Sequence, residues 1–501
     1  MPAHPDLTAA ERPRLAVAGP PVYEPLDPYA PSAAKPWNAR RVAHLYRRLG
    51  FGATNTQIQQ GLQMTPDALV DQLLDTAAAL PSPAPPVWAN FTTDDYGGSA
   101  ALMEEHRREL RHRWLADMLN EGIRAKMALF WHNHFVTQLL LVGCNNYLWS
   151  YFALLHDYAF GNFREFTVNM GKNPAMLVYL NGDANVADEP NENYARELME
   201  LFTMGEGNGY TQMDVVEMSR ALTGWKANFN GCLPVAFKVS DFDDGPKTIF
   251  GKTGNFNFDE AHYLIFSERP EQVSKFIAGK IYKHFLYYQP NQEVVDILAS
   301  TFRDNNWEIL PVLKQLFKSE HFFEEAFING RIKSPLDTLL PILTWADAKS
   351  PDNFDPDYFG EIAFYSRHLG QELLEPPNVA GWPEHRSWIN ESELTTRWNF
   401  AAITATIMAN HSQLLDNLRT LAKNLTNDSN NPELITAALV EFFTGQNLDP
   451  IHLNAAVGYF KAGVPENYFA DGSWNLNWDT APAQIVNLIK YLVKLPEFQL
   501  N

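Results

Sequence analysis

Two short segments hold the densest polar chemistry of the chain. One is Trp131-His132-Asn133-His134-Phe135, and the other runs from Asn191 to Phe202 and contains Glu192, Asn193, Arg196, Glu197 and Glu200. Imidazole and carboxylate are the usual general acids and bases, and a guanidinium can hold an anionic group. Taken as a helix, the second segment places Ala195, Leu198, Met199 and Phe202 on one face. Glu192, Arg196 and Glu200 form the adjoining stripe at i, i+4 and i+8, with Glu197 a little further round. That spacing suits two intrahelical ion pairs, worth about 0.2–0.5 kcal/mol each, as well as it suits a site. The setting favours a site: Asp183, Asn185, Asp188 and Glu189 precede the helix, whose N-terminus attracts anions.

The expected catalytic set is His132, His134, Glu192, Arg196 and Glu197. Glu192 or Glu197 would be the base of a hydrolytic reaction, Arg196 would hold an anion and His134 would move a proton. A divalent metal could instead activate water, with His134, Glu192, Asp183 and Asp188 as candidate ligands. In an unbroken helix His134 shares an apolar face with Ile123, Met127 and Phe130, whereas His132 lies about 160° away. Both cannot then chelate one ion, and a core histidine bonded to a carbonyl is the default for His134. There is no H-E-x-x-H, and Glu109-Leu110-Arg111-His112 has no second E-x-x-H partner for a di-iron bundle. The acidic loop has Ala187 and no central Gly, which excludes an EF-hand.

The aromatic loops offer a second chemistry. Trp225 follows Gly224, Trp382 follows Gly381, and Trp388 comes soon after. Such indoles can stack on sugars, although they more often staple loops onto a core. Asn193, Glu200, Trp225 and Trp382 are the expected substrate-binding residues. Trp loops with paired carboxylates allow a glycosidase-like alternative, which needs a carboxyl separation of about 5–9.5 Å. Gly251-Lys252-Thr253 lacks the leading Gly of a phosphate loop, no G-x-S-x-G is present, and neither cysteine has a catalytic signature.

These groups must be carried mainly by helices. Thr65 before Pro66 is an N-cap with Pro at N1. Helical patterns cover 38–49, 65–79, 101–119, 122–138, 145–158, 163–170, 173–180, 192–204, 212–223, 259–286, 292–305, 307–318 and 334–348. Residues 226–258, with four Gly among aromatics, read as a small hairpin or long loop. No β-α alternation and no repeat period occur, so the expected fold is a mainly α, large multi-helix domain with an irregular Gly/aromatic-rich middle segment. The expected division is a Pro/Ala-rich extended arm over 1–37, a helical domain over 38–400 with 226–258 as its insertion, and a helical region over 401–501 packed on the same body.

With 501 residues, 46% of them hydrophobic, a large core is available. The net charge of −20 disfavours nucleic acid and anionic membranes as partners. No apolar run reaches the length of a membrane span. Cys144 and Cys232 fit either one disulfide or two buried thiols. Residues 1–37 lack a charged n-region followed by an apolar core, so no signal peptide is expected there, and the protein is cytoplasmic unless a leader has been removed.

Several motifs together resemble the bacterial domain-of-unknown-function 1800 family. They are Arg48-Leu49-Gly50-Phe51-Gly52-Ala53, the Phe130–Phe135 stretch, Asn191 to Glu200, Tyr210-Thr211 through Arg220 to Trp225, Gly251-Lys252-Thr253-Gly254-Asn255-Phe256, and Pro376-Pro377-Asn378-Val379-Ala380-Gly381-Trp382-Pro383. The resemblance spans roughly Ala39 to Phe400. It implies an exported bacterial protein, periplasmic or extracellular, often encoded beside a phosphatase/sulfatase-like protein that is a candidate partner. Members commonly carry His-Asp before the Gly-Lys stretch, where this chain has Asp243-Asp244 ahead of Gly245 and Lys247. A catalytic set that used this His would therefore differ here. The two functions weighed are an enzyme with a His/Glu/Arg site between two helices and a non-catalytic binding or scaffold protein.

Overall fold

In the computed structural model, residues 26–501 are described apart from Phe229 and the side chains of Glu391 and Ser392. The expected arm over 1–37 lies outside the described residues up to position 25. Its remainder is tied down: the Tyr29 N–H donates to the Lys318 carbonyl (2.7 Å) and the Trp37 indole to the Gly61 carbonyl (3.1 Å).

The fold is mainly α. About 60% of the chain is helical, and the described residues contain 23 α-helices and only two small antiparallel hairpins. Trp225–Asn228 pairs with Leu233–Phe237, and Lys247–Ile249 pairs with Lys252–Gly254. Both fall in the Gly-rich middle segment.

Local chemistry sets the helix bounds. Thr65 caps Pro66–Ala78 through the Ala68 N–H. Asn257 and Glu260 close a capping box on Phe258–Glu268. The stretch over 259–286, expected as one helix, is broken at Arg269 (φ −133°), and Pro270 opens a new helix, Pro270–Phe285. The 122–138 stretch stops at His134, and a short Leu139–Val142 turn follows.

The segment expected as one helix over 192–204 changes type midway. Glu192–Glu197 is α, and Leu198–Thr203 is a π-helix. The Met204 N–H reaches back five residues to the Met199 carbonyl (3.0 Å), and the Thr203 hydroxyl takes the Leu198 carbonyl (2.5 Å). The helix ends here, which leaves the Leu201 and Phe202 carbonyls to outside donors.

An aromatic layer encloses Ile123–His134. Trp114, Trp131, Phe135, Tyr147, Tyr151, Phe152 and Phe163 are among the largest fully buried side chains. The Trp131 indole donates to the Ala159 carbonyl (3.0 Å), so burial leaves it satisfied. Cys144 and Cys232 form a disulfide joining the start of Asn145–Asp157 to the first hairpin. The C-terminal helices lock onto the body: buried Arg397 donates to Gln499 Oε1 (2.6 Å) and to the Lys333 carbonyl (2.6 Å). No described helix is long and apolar enough to cross a membrane.

Candidate functional site

Both histidines of Ile123–His134 are buried, on opposite sides of the helix. His132 is fully enclosed by Trp114, Tyr151 and Trp382. The Tyr151 hydroxyl donates to the Phe135 carbonyl (2.7 Å), so His132 must donate from Nδ1 to the tyrosine oxygen (2.6 Å). Burial depresses its pKa to about 3, and the ring is neutral. His134 takes the other tautomer. Its Nε2–H donates to the Phe202 carbonyl at the end of the π-helix (3.0 Å), and Nδ1 accepts from Lys280 Nζ (3.0 Å). Burial and the Lys280 charge hold this imidazole neutral, far below its usual range, against the pull of its carbonyl bond.

Lys280, on Pro270–Phe285, is the unusual group of the molecule. Its Nζ also donates to the Leu201 carbonyl (3.3 Å), a second carbonyl at the helix end. Burial is the main cause that lowers its pKa to about 8; Glu384 opposes the shift and Lys283 adds to it. A neutral amine has two hydrogens and one lone pair. His134 and Leu201 use the hydrogens, so the lone pair is left free.

The wall opposite comes from the 376–383 loop. Asn133 Oδ1 accepts the Trp382 backbone N–H (2.6 Å), and Gln138 donates to the Pro376 carbonyl (2.7 Å). Gly381 adopts φ +91°, and a Cβ there would lie 2.3 Å from Asn133 Oδ1, so only glycine fits. Just beyond, Glu384 accepts from His284 Nδ1 (3.2 Å) and faces Arg331 (3.9 Å). Burial opposes its ionisation, but the His284 bond and the charges of Arg331 and Lys280 prevail and hold its pKa at about 2.

These groups line one cavity of about 760 Å³, a size that suits a small molecule. His134, Asn133, Lys280, Trp382 and Glu384 all face it, with the 204–208 loop on the far side. It is assembled from Ile123–His134, the end of the π-helix, Pro270–Phe285 and the 376–383 loop.

The acidic segment lies elsewhere. Arg196 is held by Glu192 (2.9 Å), Glu200 (3.3 Å) and Gln212 (2.8 Å), and Gln212 also donates to Glu192 (2.7 Å). This is the ion ladder that the spacing allows, on a face where Arg196 is 37% exposed. Glu197 is half-buried, and burial with the Glu200 charge raises its pKa against Arg196. Asn193 is exposed and donates to the Leu180 carbonyl (3.2 Å). Trp225 sits on the first hairpin, with the Lys172 ammonium 5.1 Å from its ring centroid. None of Glu192, Asn193, Arg196, Glu197, Glu200 or Trp225 lines the cavity. Asp183 is half-buried, with its own carbonyl taken by Lys226 (2.7 Å), and Asp188 is exposed. Among the described residues no three His, Cys, Asp or Glu side chains are placed to hold a metal ion, so His134, Glu192, Asp183 and Asp188 do not form a ligand set. Asp243, ahead of the second hairpin, accepts from Arg220 Nε (2.7 Å).

Of the expected residues, the structure therefore gathers His134 and Trp382 in one cavity, with His132 packed behind the indole. Lys280, Asn133 and Glu384 were not singled out from sequence. One signal for Lys280 was present: it lies on the same helical stripe as Val273, Ile277 and His284, where an apolar residue belongs.

Comparison with curated proteins and with solved structures returned no match. A family model described as "Protein of unknown function (DUF1800)" matches residues 44–500, which includes the C-terminal helices beyond the span of the motifs quoted above. The Phe130–Phe135 and Pro376–Pro383 motifs that carried the resemblance are the two that meet at Asn133 and Trp382. With nearly its whole length matched, the chain belongs to the DUF1800 family.

Proposed function

We propose that the protein is an enzyme whose active site is the cavity between His134, Lys280, Trp382 and Glu384, with the Lys280 amine as its general base. The observation that carries this reading is the double acceptance of Lys280 by His134 Nδ1 and the Leu201 carbonyl. It orients an amine that, with a pKa of about 8, is mainly protonated at pH 7 yet reaches its neutral, basic form far more readily than an ordinary lysine. In a reaction step the lone pair of Nζ takes a proton from the substrate, or from a water that attacks it in a hydrolytic version. His134 does not exchange a proton. Its neutral tautomer is pinned by Phe202, and it serves as a positioning residue. Asn133 and Gly381 fix the indole wall that closes the cavity on its other side.

An exported location fits the same account, because the Cys144–Cys232 disulfide persists in an oxidising compartment. The binding-protein reading has its own support in Leu140 and Leu141, which stand 72% and 61% exposed on the turn beside the 376–383 loop. A phosphatase/sulfatase-like partner would cover them.

An amine-directed acylating reagent at pH 7 tests the enzyme reading. We expect Lys280 to be acylated ahead of the exposed lysines, as located by peptide mass spectrometry, and Lys280→Met to abolish that fast phase. Fast acylation confined to surface lysines, with Lys280 untouched, would remove the base from the proposal.

A further inference from the structure

Resting on the reading that this cavity is the functional site, we infer that its ligand is a small molecule bearing an anionic oxygen group of the carboxylate or phosphate type, held on the Lys280–Lys283 side. The chain carries a net charge of −20, yet cations are concentrated at this place. Lys275, Lys280 and Lys283 line the cavity against two carboxylates, Glu206 and Glu384. Glu384 is already committed to His284 and Arg331, and Lys275 to Asp296 (3.1 Å). Lys283 is exposed and, among the described residues, has no ion-pair partner within 4.0 Å. Two ammonium groups are thus left facing the space.

Behind this wall the imbalance is larger. Arg331 touches Glu384 and belongs to a buried cluster with Lys126 and Arg48, in which Asp337 is the carboxylate that pairs Lys126. Arg48 is 1% exposed, and its Nε and Nη1 have no partner. Charges enclosed in a low-dielectric interior are screened little, so this cluster adds to the positive potential in the cavity. Two ammonium groups call for a ligand that carries acceptors and negative charge. At about 760 Å³ the space holds a metabolite-sized molecule rather than a polymer. An anion there would relieve the Lys280–Lys283 repulsion and draw the proton back onto Lys280.

The test uses the full chain at constant ionic strength, with inorganic phosphate and citrate as probes and glycerol and glucose as neutral controls. We expect phosphate or citrate, and neither polyol, to raise the melting temperature saturably and to slow Lys280 acylation several-fold. Lys283→Gln should leave the melting temperature without ligand unchanged and weaken half-saturation by about tenfold, the scale of one charge-assisted contact. Protection by glucose or glycerol, or equal stabilisation of Lys283→Gln by the anions, overturns the assignment. Lys280 that is acylated fast but protected by neither anion also overturns it and leaves the base role standing. Saturable, Lys283-dependent binding without fast acylation supports the anion site and removes the base role alone.

Discussion

At the scale of single residues, the site depends on a few groups that have one acceptable neighbour each. His134 donates to Phe202 and accepts from Lys280, and no other described side chain is bonded to either ring nitrogen. His134→Ala leaves the Phe202 carbonyl and one Lys280 hydrogen without partners, so we expect a loss of about 1–3 kcal/mol in urea unfolding. We also expect Lys280 to titrate closer to the exposed lysines in that variant, since the cavity left behind admits water. Unchanged stability would mean that the imidazole is not holding the π-helix end. Gly381→Ala makes a sharper geometric test: φ +91° and a 2.3 Å approach to Asn133 Oδ1 leave no room for a methyl group. The loop should shift, with a loss of more than about 1 kcal/mol and quenching changes at Trp382. A variant as stable as the parent, with the same fluorescence, would contradict the packing.

At the scale of elements, the residue patterns told a good deal, and the places where they failed have physical causes. Caps and Pro positions located most helices because they are local: Thr65-Pro66 needs only its own turn. The i, i+4 stripe of Glu192, Arg196 and Glu200 was legible as an ion ladder for the same reason, and the structure forms that ladder. The π-helix over Leu198–Thr203 was not legible, because six residues cannot distinguish a period of 3.6 from a slightly larger one. The carbonyls that orient Lys280 and His134 lie where this segment ends and have no partner within the helix. The burial of Lys280 was equally hidden. It depends on Pro270–Phe285 lying against the π-helix, a contact between segments some eighty positions apart. The two cysteines were undecided in sequence, since an 88-residue separation carries no pairing signal of its own. Closing a loop of that length stabilises by about 4–5 kcal/mol in the chain-entropy account. Thiol reductant should therefore lower the melting temperature of the native chain, and Cys144→Ser should lower it without further response to reductant. A melting temperature indifferent to reductant would contradict the disulfide.

At the scale of the whole molecule, the neutral histidines make stability sensitive to acid. His44, His132, His134, His156, His262 and His284 are buried with pKa values depressed first of all by burial. For each, the unfolded chain binds a proton below about pH 6.5 that the folded chain refuses. Their contribution is complete above that pH and is lost as pH falls toward about 4, where His262 and His284 titrate in the fold. Each group costs up to about 1.4 kcal/mol per pH unit in that window. Four carboxyls work in the opposite sense: burial raises the pKa of Asp117 to about 6 and also raises those of Asp183, Glu197 and Glu375, so their contribution is lost as pH rises. Six fully buried imidazoles outweigh these four carboxyls, three of them only half-buried, and urea midpoints should fall from pH 6.5 to pH 4.5. A flat profile there would mean that these imidazoles are hydrated.

The claim on which the functional account rests is that Lys280 is an oriented amine that gives up its proton near pH 8, well below an ordinary lysine. Carbon-13 labelling of lysine Cε permits direct titration of each ammonium group by NMR. The account predicts one resonance with a midpoint near 8, absent from Lys280→Met and moved upward by His134→Ala. Titration of every lysine together near its ordinary value of 10.5 would contradict it.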